Sequence, residues 1–362
     1  MRGLKLKVNA SENEAPPRDF DITQSGSFTK GDFKINQNWK NMSLNDLETK
    51  HLLGKGSSGN VYLVCHKASG QLFALKYISV FDDQKRKTII NELQTLYSAS
   101  SEHLIGFFGA FYQEGNIQIA LEYMEGGSLS DIIKTVQGPI PEPFLSRIMQ
   151  QVMLGLRYLH KERHLVHRDL KPGNILFNSK GQFKISDFGV SAELDHTGAE
   201  CGSFVGTVTY MSPERLEGKK YSFASDIWAL GIIVLESVTG KFPFRDEHDK
   251  PIGVFWELLN TIKMKAPPSL SPHQGYSSEV CDFIALCLQK DPKQRATVSE
   301  LLEHPFITKH CSNSPTSGAE WQQYNNWIDT LIKIRSQTEK YVQSEQQEKT
   351  HSLETKLKKL VL

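Results

Sequence analysis

The sequence predicts an α+β chain of two lobes, a small β-rich lobe over residues 47–122 and a larger α-rich lobe over 126–308, with a cleft at their joint. Three observations lead there. β-branched and aromatic residues recur from Leu47 on both sides of the turn "KASGQ". Beyond the breaker "MEGGS" the period becomes helical, with Leu145, Ile148, Val152, Leu156 and Leu159 on one face. A chain of 362 residues with 39% hydrophobic content can also bury a sizeable core, as one large or two ordinary domains.

Taken in order, residues 1–46 are polar and aperiodic, with Pro16 and Pro17, and predict a flexible arm. Strands are expected through "LETKHLLGKGSSGNVYLVCHKASGQLFALKYIS". "DDQKRKTIINELQTLYSA" then sets Ile89, Leu93 and Leu96 at helical spacing, and strand-like runs follow over 105–111 and 117–124. After the helix in "FLSRIMQQVMLGLRYLH", helical stretches recur from about Asp226 to Phe306. The tail, 309–362, is expected to be partly helical. Its Trp321, Tyr324, Ile328 and Leu331 share a face suited to docking on the large lobe, or else to a partner.

Composition removes several function classes. With 42 basic against 41 acidic residues the net charge is +1, so neither nucleic acid nor an anionic membrane is expected as a partner. Five cysteines, Cys65, Cys201, Cys281, Cys287 and Cys311, are odd in number and lack a C-x-x-C pair. They argue against a disulfide framework or zinc and for a reducing, cytoplasmic setting. No apolar run approaches the roughly 18 residues of a membrane span. The start "MRGLKLKVNAS" offers neither a signal-peptide core nor a second-position glycine, so the sequons at Asn9 and Asn41 read as chance matches.

The chemistry begins at "GKGSSGNV", where Gly54, Gly56 and Gly59 fall in a G-x-G-x-x-G-x-V pattern. A turn without side chains can lie close over a polyphosphate and offer it backbone N–H groups. The candidate segment is Leu53, Gly54, Lys55, Gly56, Ser57, Ser58, Gly59, Asn60 and Val61. A plain flexible turn is the bland reading. A dinucleotide fold would need a helix after the glycines, and "NVYLVCH" reads as strand instead.

Lys76, in the apolar strand "FALKYI", needs an anionic partner to offset its desolvation. Glu92, on the apolar side of the following predicted helix, is the candidate, although either charge could face solvent. In "HRDLKPGN", Asp169 is suited to accept or orient a hydroxyl proton and Lys171 to neutralise a transferring phosphoryl group. Asn174 can give a neutral oxygen to a hard cation. "KISDFGVS" adds Asp187, a second oxygen ligand of the kind magnesium takes. Any one of these could be a cap or a turn residue; their joint order argues for phosphoryl transfer.

From about Leu47 to Phe306 the chain resembles a eukaryotic protein kinase, and the roles that follow are those of that family's template. The resemblance implies the two-lobed protein kinase fold with ATP and Mg2+ as cofactors. It implies that the glycines cover the phosphates, that Lys76 contacts them and pairs with Glu92, that Asp169 is the catalytic base, and that Asn174 and Asp187 hold magnesium. It also implies that Val61, Ala74 and Leu176 sandwich the adenine, while backbone groups of Glu122 and Met124 meet its edge behind Leu121. Leu96, Phe107, His167 and Phe188 would form an apolar column, Glu214 would pair with Arg295, and Asp226 would brace the catalytic loop.

Within that family "DFGVSAEL", "SFVGT" and "YMSPERLEG" are similar to MAP kinase kinases. The resemblance implies transfer to Thr and Tyr in a MAP kinase activation loop, and activation by an upstream MAP kinase kinase kinase. One departure stands out: Ala199 occupies the position four before Ser203, where animal members carry a phosphorylatable residue. Thr197 and Ser203, separated by five residues, resemble the plant and protist spacing and are the candidate phosphosites, able to meet cations such as Arg168, whereas Thr207 looks structural. Arg2, Lys5 and Lys7 around Leu4, Leu6 and Val8 are similar to a docking peptide. The rivals are an upstream Ser/Thr kinase of the same group, against which "MSPERL" argues, and a pseudokinase scaffold. The latter is disfavoured because Lys76, Glu92, Asp169, Asn174 and Asp187 are all present.

Overall fold

The computed structural model describes residues 42–56, 59–80, 101–113, 115–187, 209–311 and 318–338. They fall into two compact units, one ending at Glu122 and one resuming at Tyr123, with Ala99–Gly106 belonging to the second. The predicted helix over 82–99, the arm, the docking peptide, Thr197, Ser203 and Thr207 lie outside the described residues.

The first unit is an antiparallel sheet in the order β1-β2-β3-β5-β4. Its strands are β1 Leu47–Gly56, β2 Gly59–His66, β3 Leu72–Ser79, β4 Phe107–Gln113 and β5 Asn116–Glu122. Alternation within "LFALKYIS" sends Phe73 and Leu75 to one face. There they pack with Val64, Phe111, Ala120 and, from the lead-in segment, Met42. Burying each large apolar side chain in such a cluster contributes about 1.5–3 kcal/mol. The turn after β2 closes through Gly70 N–H to His66 O at 2.8 Å, as "KASGQ" predicts.

The strand expected over 105–111 begins two residues later, at Phe107. Leu104 and Ile105 instead belong to the second unit, where the Ile105 N–H donates to Ile185 O at 3.0 Å. The strand expected over 117–124 ends at Glu122, because Met124 O turns to accept the Gly127 N–H at 3.1 Å.

In the second unit a short sheet, β6 Gly127–Ser128, β7 Ile175–Phe177 and β8 Phe183–Ile185, sits among helices. Helix α1, Leu129–Val136, starts at a capping box in which Ser128 and Asp131 satisfy each other's end of the turn. Helix α2, Glu142–Arg157, buries Leu145, Ile148, Val152 and Leu156 completely, the stripe its spacing predicts, and runs into a π-helical turn at Tyr158–Glu162. The short α3, Pro213–Leu216, precedes α4, Phe223–Thr239, which is buried nearly all round and forms the unit's centre. Then come α5 Phe255–Met264, α6 Ser278–Cys287, α7 Val298–Leu302 and α8 Pro305–Cys311. The last described helix, α9 at 319–338, docks on this unit with Tyr324, Ile328 and Leu331 buried.

Candidate active site

In the first unit, antiparallel pairing sets Val61 opposite Lys76, Lys76 opposite Ile119, and Ala74 opposite Leu121. Cross-strand partners share a face, so Val61, Ala74, Lys76 and Leu121 lie together on the side away from the Phe73–Leu75 core. Lys76 is only 3% exposed, with its predicted partner Glu92 outside the described residues.

The glycine turn joins β1 to β2, with Gly54 opposite Val61, Lys55 opposite Asn60 and Gly56 opposite Gly59. Two glycines there have different reasons. Gly59 has a φ of +125°, and a Cβ on it would fall 1.9 Å from Tyr77 O, so the fold itself demands glycine. At Gly54 a Cβ would meet nothing within 4 Å, leaving bare backbone that a ligand can approach. Leu53 and Asn60 are half-buried and Lys55 is exposed, while Ser57 and Ser58 lie outside the described residues. Glu122 ends β5 half-buried.

In the second unit the polar octet is built around one buried carboxylate. Asp226, in the first turn of α4, is 2% exposed. Its Oδ2 accepts from His167 N–H at 2.8 Å and from His160 Nε2 at 2.8 Å, and its Oδ1 from Arg168 N–H at 3.0 Å. Hydrogen bonds to an ionised acceptor contribute about 1.5–3 kcal/mol each, and here they hold Arg168 at a φ of +75°, a strained value for a non-glycine residue. The loop is fixed above this anchor as well. Asp169 N–H donates to His167 Nδ1 at 3.3 Å, which leaves the proton of that ring on Nε2, donating to Ser186 O at 3.0 Å.

Asp169 is thereby presented with one oxygen engaged. Its Oδ2 accepts from Lys171 Nζ at 2.7 Å and Asn174 Nδ2 at 3.1 Å, and its carbonyl accepts from Asn174 Nδ2 at 2.8 Å. These bonds turn the Asn174 carboxamide so that Oδ1 is the atom left for a ligand. The Asn174 carbonyl accepts from Ser186 N–H at 2.8 Å, and Ile175 pairs with Ile185, which brings the neighbouring Asp187 onto the same end of the β7–β8 hairpin. Asp187 has a φ of +58°. A neutral oxygen and a carboxylate at one hairpin end fit a hard divalent cation. Leu176 is half-buried in β7, and Met124 is buried. Phe188 lies outside the described residues.

Glu214 of α3 and Arg295 form the pair that the family resemblance implies. Sequence reasoning missed two neighbours. His160 carried no signal, since its partner Asp226 is 66 residues away. Tyr210 Oη donates to Glu236 Oε2 at 2.6 Å, and burial pushes the Glu236 carboxyl up, only partly countered by that bond.

Residues 47–307 match the family model described as the protein kinase domain. The chain is 45% identical over 311 residues to mitogen-activated protein kinase kinase 2 of Arabidopsis thaliana, covering 80% of this chain and 85% of that one. It is 41% identical over 335 residues to mitogen-activated protein kinase kinase SIPKK of Nicotiana tabacum, covering 86% and 93%. With dual specificity mitogen-activated protein kinase kinase dSOR1 of Drosophila melanogaster it shares 42% identity over 289 residues, 74% and 72% of the two chains.

Proposed function

This chain belongs to the protein kinase family and, within it, to the MAP kinase kinases, and on that premise we propose that it phosphorylates Thr and Tyr in the activation loop of a MAP kinase, using Mg2+ and ATP. The observation that carries the reading is the Asp169 carboxylate, steadied through Oδ2 by Lys171 and Asn174 on a loop anchored by Asp226. Asp169 Oδ1 accepts the proton of the acceptor hydroxyl as the oxygen attacks the γ-phosphorus, the bond from that phosphorus to the β–γ bridging oxygen breaks and ADP leaves, and Lys171 balances charge on the phosphoryl group. Lys76 contacts the nucleotide phosphates under the backbone of the glycine turn, and Glu92 orients Lys76. Val61, Ala74 and Leu176 cover the adenine, with Leu121, Glu122 and Met124 at its edge.

Magnesium would be held by Asn174 Oδ1 and the Asp187 carboxylate, and when bound neutralises the phosphate oxygens. Residues 1–46 serve as an arm carrying a MAP kinase docking peptide, ahead of a kinase domain over 47–308. An upstream MAP kinase kinase kinase switches the protein on at Thr197 and Ser203. Arg168, whose guanidinium lies 5.5 Å from the centre of the Tyr221 ring, is a cation that can receive those phosphates. The free thiols of Cys65, Cys281, Cys287 and Cys311 support a reducing, cytoplasmic setting.

The test is phosphorylation of a kinase-dead MAP kinase, followed by phosphoamino-acid analysis and mapping by mass spectrometry. Phosphothreonine and phosphotyrosine in the acceptor's activation loop are expected from the wild type and neither from Asp169→Ala. Phosphate on Ser or Thr alone reduces the protein to a generic kinase of this group, and equal signal from both proteins refutes the assigned base.

A further inference from the structure

Helix α9 lies beyond the residues matched by the kinase domain, 47–307, yet it is fastened to the β7–β8 hairpin, which Asn174 immediately precedes and Asp187 follows. The β7–β8 turn first closes on itself: Asn178 Oδ1 accepts from Lys180 N–H at 3.0 Å and Gln182 N–H at 3.1 Å. The turn carbonyl Gly181 O then accepts from two side chains off the hairpin, Gln151 Nε2 of α2 and Tyr324 Oη of α9, each at 3.3 Å. Gln151 Oε1 accepts in turn from the N–H of Phe183, where β8 begins, at 2.9 Å.

Contact between turn and ring is close. Gly181 has a φ of +70°, and a Cβ there would come within 3.2 Å of Tyr324 Cε1. Tyr324 is 1% exposed, with the rings of Phe144 and Trp321 each 5.7 Å away by centroid. Further along α9, Arg335 Nη1 reaches Asp131 Oδ2 at 3.1 Å. That carboxylate caps α1 by accepting from Ser128 N–H at 2.9 Å, and Ser128 pairs with Leu176 of β7. One helix therefore meets the three-stranded sheet at the β7–β8 turn and, through Asp131, beside β6. A hairpin of three-residue strands is marginal by itself, so such supports decide how firmly its ends are placed.

We infer that α9 is a positioning element of the catalytic unit, in which Tyr324 and Arg335 fix the β7–β8 hairpin and through it the pair Asn174 and Asp187. The inference rests on the assignment of the cation to that pair. Neither Tyr324 nor Arg335 touches the reacting atoms; each acts through the hairpin, so loosening them changes how well the cation is held before it changes the chemical step.

The experiment uses the full chain with Tyr324→Phe, Tyr324→Leu, Arg335→Gln and Asn174→Ala. Two quantities are read: hydrogen exchange of the amides over 175–187, and the Mg2+ concentration that half-saturates phosphoryl transfer at fixed, saturating ATP. Direct partners of a metal ligand change affinity about 10–100-fold, so this more remote support is expected to raise the half-saturating Mg2+ about 3–10-fold in Tyr324→Leu and Arg335→Gln, with kcat nearly unchanged at high Mg2+. Exchange at Gly181 and Phe183 rises in parallel. Tyr324→Phe, which keeps the ring and loses one of two donors to Gly181 O, falls between these and the wild type and guards against misfolding of the leucine variant. An unchanged Mg2+ requirement in the Tyr324 and Arg335 variants, while Asn174→Ala raises it, overturns this inference alone. An unchanged requirement in Asn174→Ala overturns the cation assignment and the inference with it.

Discussion

The guanidinium of Arg295 grips the carboxylate of Glu214 through two parallel hydrogen bonds, Nη1 to Oε1 and Nη2 to Oε2, both 2.7 Å. The pair is buried, and the remaining donors are also used: Arg295 Nε reaches Gln289 O and Nη1 reaches Ala224 O, each at 2.7 Å. Breaking a buried pair from one side leaves an uncompensated charge, which costs about 3–5 kcal/mol. Arg295→Leu is therefore expected to lower the denaturant midpoint by that equivalent, as read by urea unfolding of the whole chain. A loss within about 0.5 kcal/mol, typical of surface substitutions, would show that the pair is solvated in solution.

Acid should expose the same pair. Burial raises the Glu214 carboxyl, but the hydrogen bonds and charge of Arg295 outweigh it and hold the group below its ordinary 4.5. A depressed carboxyl contributes stability that is present above its unfolded value and disappears as pH falls through the folded one. The stability gap between wild type and Glu214→Gln is accordingly expected to be widest near neutrality and to shrink below 4.5. A gap that stays constant into acid would remove the titration of Glu214 as its cause.

Glu236 runs in the opposite sense. Its raised carboxyl disfavours the charged folded state, so the penalty appears as pH rises through the folded value and vanishes in acid. Tyr210→Phe removes the 2.6 Å donor and should cost about 1–3 kcal/mol at neutral pH, and less at an acid pH below the ordinary 4.5, where the raised Glu236 carboxyl is protonated. Unfolding curves at the two pH values decide it; a larger cost in acid would contradict the direction.

Much of the site was legible because its motifs are short. The glycine turn, Lys76, "HRDLKPGN" and Asp187 each gather their candidate residues within a few positions, so residue type and order suffice to nominate them. Gly59 was legible for an incomplete reason: phosphate approach was foreseen, while the clash with Tyr77 O depends on the β2–β3 register. Distance along the chain hid the rest. Arg295 and Glu214, 81 residues apart, came from family likeness, and nothing in "YLH" announces that His160 meets Asp226. The face of α9 was readable by its period, yet not that Tyr324 lands on Gly181, because periodicity names a buried face without naming what covers it.

The two glycines at the turn separate fold from ligand. Gly59→Ala must move backbone, at about 1–3 kcal/mol for the strained φ alone, so it is expected to lower both the melting temperature and activity. Gly54→Ala meets nothing within 4 Å and should melt with the wild type. If ATP phosphates lie against that backbone, Gly54→Ala nevertheless raises KM for ATP. Kinetics on a variant with unchanged melting and unchanged KM would place the nucleotide elsewhere.

Asp226→Asn tests the anchor of the catalytic loop with no change of shape. Oδ2 serves two donors, His167 N–H and His160 Nε2, while Oδ1 serves one, Arg168 N–H. An asparagine can offer its carbonyl to only one of these sites, and placing it at the first sacrifices a single bond where the reverse sacrifices two. Its amide then faces Arg168 N–H, donor against donor, which strands a buried group at about 1–3 kcal/mol. Arg168 already sits at a φ of +75°, so losing its acceptor releases the backbone just before Asp169. The expected result is a fall in kcat of about 10-fold or more, following from about 1.4 kcal/mol of lost positioning, with a smaller change in KM for ATP. A kcat equal to the wild type's, measured at saturating ATP and acceptor, would mean that the loop holds Asp169 without this carboxylate's charge.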